Sequence, residues 1–434
     1  MTAPLDKRWF TEFRSNIVAI TTNYYFRSRR KTVEEQRKKF LANEIRNPSF
    51  EYPRLNAHYF IKRRDSLARL RQQIFKEETH PVVRQAYLWS IDETLDQINL
   101  LLAATNKDMG KFRHFTESTF GTPSPEIFKW TIQSLHDLCA DSMVSSDTAL
   151  KEAAEQLKSH LPTFAGNSAI FIPSQPLVKK VFVSVLKQLG SLIEIPQKAH
   201  DWKGEELRLL FQEKLQGAKL YDWSAVLVED QYYISVEKNH KEVRLPEQRG
   251  FSSEDVRSLL AHEIGVHVLR RVNGIKSKLL LLGMGLDRYY RGEEGLATLY
   301  EEALYGSFIN TIRPQRYLAI GLTYGLDGQR RDFREVFEIM VHYFRHDLLL
   351  SSPPSQELEE HAILHAWETC RRIFRGTTGS EPGVCLTKDI IYQEGNIQIW
   401  EALAEHPKEL RRLLIGKYDP ANEHHRWILD SLGY

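Results

Sequence analysis

Between Val82 and Ala104 the apolar residues recur three and four positions apart, the spacing of an amphipathic helix. The same helical pattern runs through most of residues 46–160, and Gly121, Pro123 and Pro125 interrupt it and start a new helix. A boundary follows near Ser159–Ser168, after which the character changes. Ala169–Pro173 is short and β-like, and Trp223–Glu247 holds the clearest strand pattern. Within it, Ala225–Val228 and Tyr232–Glu237 flank Asp230 and Gln231, which predicts a hairpin and hence a small antiparallel sheet. From Ser252 the chain is helical again. The pattern predicts an α+β fold, mostly α, with the sheet directly before a buried helix. It divides into a basic helical lead-in (1–45), a helical part (46–160) and a final unit (161–434).

Composition narrows the class. With 434 residues, 42% hydrophobic and 27% charged, the chain has an ordinary globular make-up and ample length for a core. A formal net charge of +2 gives no bulk attraction to nucleic acid or to anionic membrane. The basic run Arg27–Phe40 contains Glu34 and Glu35 as partners for its cations and lacks interleaved stacking aromatics, so it reads as a solvated helix face. The opening residues offer no apolar run fit for a signal peptide, and no apolar stretch reaches membrane-spanning length. Cys139, Cys370 and Cys385 are scattered and odd in number, which fits reduced thiols in a cytoplasm and excludes a cysteine metal cluster. Any metal site must therefore use His and carboxylates.

Leu259–Gly274, "LLAHEIGVHVLRRVNG", supplies such residues. Ser252 or Ser253 can cap this helix, Glu254 and Asp255 suit its positive end, and Asn273-Gly274 offers a left-handed stop. His262, Glu263 and His267 then lie mid-helix. Residues five apart differ by about 140° on an α-helix, too wide for one metal; a π-bulge brings them back towards one face. Burying Glu263 costs several kcal/mol unless it is paired or neutralised, and a neighbouring metal meets that need. A catalytic zinc wants a third protein ligand. Glu293, Glu294, Glu301 and Glu302, in "YYRGEEGLATLYEEAL", are all candidates by type, and Glu294 lies beside the apolar face of a second helix. The pairs His342/His346 and His361/His365 have true i, i+4 spacing but no adjoining Glu, and read as ordinary helix histidines. No phosphate-binding loop, dinucleotide fingerprint or nucleophile elbow is present.

"HEIGVHVLRRVNG" followed by "EEGLA" resembles the tyrosine carboxypeptidase family, which contains the MATCAP-type microtubule detyrosinases and the bacterial proteins named for a QEGLA motif. "RNPSFEY", "FTESTFGTPSP", "RPQRYL", "RRIFRG" and "LTKDIIYQEG" extend the likeness in order over most of the chain from residue 46. The resemblance implies a zinc metallopeptidase-like domain that removes a C-terminal aromatic residue, Tyr or Phe, from a peptide or protein tail. It implies His262, His267 and Glu294 as zinc ligands and Glu263 as general base. Glu293 stands where the motif name has Gln. A carboxypeptidase also needs cations for the terminal carboxylate. Arg313, Arg316 and Arg375 sit in the matching blocks, and Lys388 lies in "TKD". Tyr289, Tyr290 and Tyr300 are placed to assist an oxyanion, and Tyr232–Val236 to pair with an extended peptide. The alternative is a non-catalytic regulatory or scaffolding protein with a structural metal, but such a site needs no general base.

Overall fold

A computed structural model describes residues 3–17, 22–166, 168–229, 231, 233–308, 314–352, 354–355 and 357–434. Helices dominate: α1 (Lys7–Ile17), α2 (Arg30–Leu41), α3 (Ala57–Glu77), α4 (Pro81–Thr105), α5 (Met109–Phe120), α6 (Pro125–Met143), α7 (Thr148–His160), α8 (Gln175–Leu189) and α9 (Gly204–Gly217) come first. The strands β1 (Ser224–Val228), β2 (Ser235–Glu237) and β3 (Glu242–Pro246) follow. The next helix begins at Ser253–Leu259, runs unbroken through the π-helical stretch Leu260–Val268 and ends as Leu269–Ile275; these three parts are α10. Then come α11 (Tyr290–Tyr305), α12 (Pro314–Tyr324), α13 (Phe333–Ser351), α14 (Leu358–Ile373), α15 (Ile390–Glu405) and α16 (Glu423–Ser431).

The sheet is mixed, not antiparallel. Its order is β1-β3-β2, with β1 parallel to β3 and β2 antiparallel to it. The hairpin expected between the first two strands is therefore displaced by one between β2 and β3. Burial explains the exchange. Val243 and Leu245 of β3 are fully buried and take the central place, while β2 is a short edge with an exposed Ser235. Asp230 and Tyr232 of the expected hairpin lie outside the described residues.

Among the described residues the buried apolar side chains form three clusters. One joins α1, α3, α4 and α5 to Leu279–Leu286 and α16. A second joins α8, α9, the sheet, α10, α11 and the C-terminal half of α15. A third joins α2, α6, α7, α12, α13 and α14 to Ile390 and Ile391 at the start of α15.

Ser252 caps α10 through a reciprocal box. It accepts from the Asp255 N–H at 3.1 Å, and the Asp255 side chain accepts from the Ser252 N–H at 3.1 Å. The far end departs from expectation. Gly274 does not stop α10 in a left-handed conformation; the helix runs through it to Ile275. Gly274 instead lets the backbone of Leu282 and Gly283 approach where a Cβ would stand. Gly295 of α11 does the same against Gly395 of α15, so the two helices cross at backbone distance.

Candidate metal centre

Along Leu260–Val268 the backbone is π-helical, with i→i+5 hydrogen bonding, so residues five apart share a face. His262 and His267 accordingly meet, their ring centroids 4.8 Å apart and their planes at 82°. Glu294 reaches them from the first turns of α11. Its Oε2 lies 3.6 Å from His262 Nε2 and 3.9 Å from His267 Nε2. Neither distance is a hydrogen bond, and this buried oxygen has no hydrogen-bond partner among the described residues.

The other ring nitrogens are held from behind. His262 Nδ1 lies 2.7 Å from Glu301 Oε1, and His267 Nδ1 lies 2.9 Å from Glu293 Oε1. A proton on each Nδ1 fixes the tautomer that turns each Nε2 lone pair towards Glu294. Among the described residues, His262, His267 and Glu294 are the one group able to hold a metal ion, with ligand atoms all within 4.8 Å. Tetrahedral zinc bonds of 2.0–2.2 Å set ligand atoms about 3.3–3.6 Å apart, close to the 3.6 and 3.9 Å that separate Glu294 Oε2 from the two Nε2 atoms. The donor set thus fits a metal: one partnerless carboxylate oxygen, two oriented imidazoles and an outer carboxylate for each.

The electrostatics of the cluster express the same need. Burial opposes a charge on His262, but Glu294 and Glu301 outweigh it and push the imidazole up to about 10. Burial brings His267 down to about 3, against the pull of Glu294. Glu294 is held down at about 2: burial works against this, and His262, His267 and Lys388 prevail. Without a metal, one proton on His262 must answer several carboxylates. Glu263, 8% exposed, is raised by burial, with the two histidines opposing. None of the described residues hydrogen-bonds its carboxylate.

Beneath the histidines, Glu293 accepts from Arg270 Nη1 at 2.7 Å and pairs with Lys417. Arg270 also donates to the carbonyls of Gly416 at 2.7 Å and Tyr418 at 2.5 Å, tying α10 to the chain before α16. Beside Glu294 lies a cationic group. Arg372 grips Asp389 with two bonds of 2.5 and 2.8 Å, and Arg375 Nε donates to the Arg372 carbonyl at 2.8 Å. Burial and the repulsion of Arg375 bring Lys388 down to about 8, against Asp389 and Glu294. The Arg316 guanidinium sits 5.7 Å from the Tyr392 ring centroid and acts on Asp389. Arg316, Arg375 and Lys388, expected from the sequence, are thus gathered around Asp389; Arg313 lies outside the described residues.

Of the tyrosines, Tyr289 stacks on Tyr290 at 4.5 Å and accepts from Lys238 Nζ at 2.8 Å, whereas Tyr300 donates to Gln188 of α8. Sequence reasoning did not assign Lys417, Lys238 or Asp389 to the site, and offered Glu301 only as one of four candidate metal ligands, whereas the structure places it behind His262. Glu301 had a usable signal, since it lies two turns after Glu294 on one helix. Lys417 and Lys238 had none, because only the tertiary fold brings them near. Of the two i, i+4 pairs, His342 stacks on His160, His346 bonds Ser142 Oγ at 2.8 Å, His365 stacks on Phe344 and His361 lies 3.9 Å from Glu357.

Residues 178–425 match the family model MATCAP, microtubule-associated tyrosine carboxypeptidase. The chain belongs to this family. The MATCAP segment contains α10, α11 and α15, and with them His262, Glu263, His267, Glu294, Arg375 and Lys388. A curated relative, the mouse protein "Microtubule-associated tyrosine carboxypeptidase 1", is 31% identical over 147 residues. That alignment covers 32% of this chain and 27% of the mouse protein, so the chain spans about a quarter of the relative it matches. No solved structure matches the chain. No helix among the described residues is long and apolar enough to cross a membrane.

Proposed function

We propose that this protein is a zinc-dependent carboxypeptidase that removes a C-terminal aromatic residue, Tyr or Phe, from a peptide or protein tail. The observation that carries this reading is the partnerless Glu294 oxygen facing the Nε2 atoms of His262 and His267, with Glu263 unbonded beside them. Family membership supports the peptidase class. His262, His267 and Glu294 would hold the ion, which when bound supplies a water acidified towards a pKa of about 7 and polarises the scissile carbonyl.

The chain's own residues do the rest. Glu263 accepts a proton from the attacking water and passes it to the leaving amine, and its burial-raised pKa suits both transfers. Arg316, Arg375 and Lys388 attract the terminal carboxylate; the Arg372–Asp389 pair holds that group of cations in place. The Tyr289–Tyr290 stack forms an aromatic wall near Lys388, whose Nζ is 5.9 Å from the Tyr290 ring centroid. Strand β2 is a sheet edge on which an extended tail can pair. A cytoplasmic setting belongs to this reading, supported by three buried free thiols.

The test is release of the last residue from short peptides ending in Tyr, Phe, Leu or Tyr-amide, followed by mass spectrometry. The expected result is release of Tyr and Phe only, none from the amide, loss with a chelator and return with Zn(II). Release from the amide, or release that ignores the chelator, would contradict the reading.

A further inference from the structure

The two carboxylates behind the histidines are not equivalent. Glu301 is 8% exposed, and His262 Nδ1 at 2.7 Å is its one hydrogen-bond partner among the described residues. No Lys or Arg among the described residues pairs with it. Glu293 is 3% exposed and shared three ways: His267 Nδ1 at 2.9 Å, Arg270 Nη1 at 2.7 Å and Lys417 Nζ. Arg270 and Lys417 are themselves fully buried, so Glu293 is the anion that answers two cations removed from water.

A carboxylate drawn towards two cations lends little electron density to an imidazole. An unshared one lends much, and raises the basicity of the ligating nitrogen across the ring. We infer that Glu301 and Glu293 are positioning residues with divided roles: Glu301 sets how tightly His262 binds the metal, and Glu293 braces the fold under His267. The inference rests on the metal reading of the site.

The experiment compares wild type, E301Q, E293Q and E293Q/K417M. It measures Zn(II) affinity by competition with a chromogenic chelator, the d–d spectrum with Co(II), and thermal melting of the metal-free proteins. Gln at 301 still accepts from Nδ1, so E301Q is expected to melt like wild type when metal-free, bind Zn(II) on the order of 10–100-fold more weakly and shift the Co(II) spectrum. E293Q leaves two buried cations without an anion and is expected to melt far lower. Removing one of them in E293Q/K417M should recover most of the melting temperature, with Zn(II) affinity within a few-fold of wild type. An E301Q protein with wild-type affinity, or a double variant as weakened as E301Q, would overturn the division of roles. A wild type that takes up no Zn(II) would overturn the metal reading as well.

Discussion

Glu293 and Glu294 are neighbours of one type, and the one local cue between them is that Glu294 lies beside the apolar face of its helix. About 100° of helical rotation separates them, and the docking of Gly295 on Gly395 decides which arc meets α10. That is why the ligand was readable only as one of several carboxylates until the family resemblance favoured Glu294. The outer residues were harder, since Lys417 reaches Glu293 across more than a hundred residues of chain. Glu93 of α4 is a further case. It accepts from the Arg288 N–H at 3.0 Å and from Gln97 at 2.9 Å, just before the Tyr289–Tyr290 stack. Burial pushes its carboxyl up to about 7, with Asp287 adding and those hydrogen bonds opposing. An unfolded Glu titrates near 4.3. The folded state therefore holds this proton more tightly, and its contribution to stability is full below about pH 4 and lost as pH rises through about 7. The shift corresponds to about 4 kcal/mol. Denaturant unfolding at pH 5 and pH 8 should show wild type losing stability across that interval and E93Q losing markedly less. Equal losses would show that Glu93 does not set the slope.

At the scale of elements, the five-residue spacing of the histidines was legible as a local π geometry, and the described backbone is π-helical over Leu260–Val268. Gly265 lies in that stretch. A Cβ there would come 2.7 Å from the Leu189 Cδ2 methyl, the mobile end of a side chain. A Cβ on Gly295 would instead overlap the carbonyl of Gly395, which cannot swing aside. G295A should therefore cost several kcal/mol and displace Glu294, while G265A should cost about 1–3 kcal/mol or less. Thermal melts with Zn(II) titration check this; equal melting of the two variants would contradict it. The sheet was misread for a physical reason. Strand pairing depends on which strand is buried on the core, and alternation within 225–237 could not reveal that β3 takes the centre.

The whole molecule joins segments that the sequence separates. The lead-in reads as a solvated basic helix, and Glu34 and Glu35 do pair with Arg30 and Lys39 at 2.9 Å. Yet its apolar residues are core: Trp9, Phe13, Tyr25, Phe26 and Phe40 are each 6% exposed or less. Asp6, fully buried, accepts from Tyr87 Oη at 2.7 Å and from the N–H groups of Leu280 at 2.8 Å and Leu281 at 3.0 Å. The start of the chain thus pins the segment that connects α10 to α11. A protein lacking residues 1–45 would expose that aromatic surface, and should melt at least 10 °C lower or fail to fold; unchanged melting would show the lead-in to be dispensable. This coupling was invisible in composition, because a few aromatics in a basic stretch carry no sign of what they pack against.

The most direct measurement pairs metal content with tyrosine release in wild type and E263Q. Elemental analysis of the purified proteins should give near-stoichiometric zinc in both, because Glu263 is not among the three donors. Release of Tyr from a short peptide should proceed in wild type and fall by at least a thousandfold in E263Q, the proton carrier being lost. Zinc in both with equal release would remove Glu263 from the chemistry. Absence of zinc from both would leave His262 and His267 as two packed histidines on a π-helical turn.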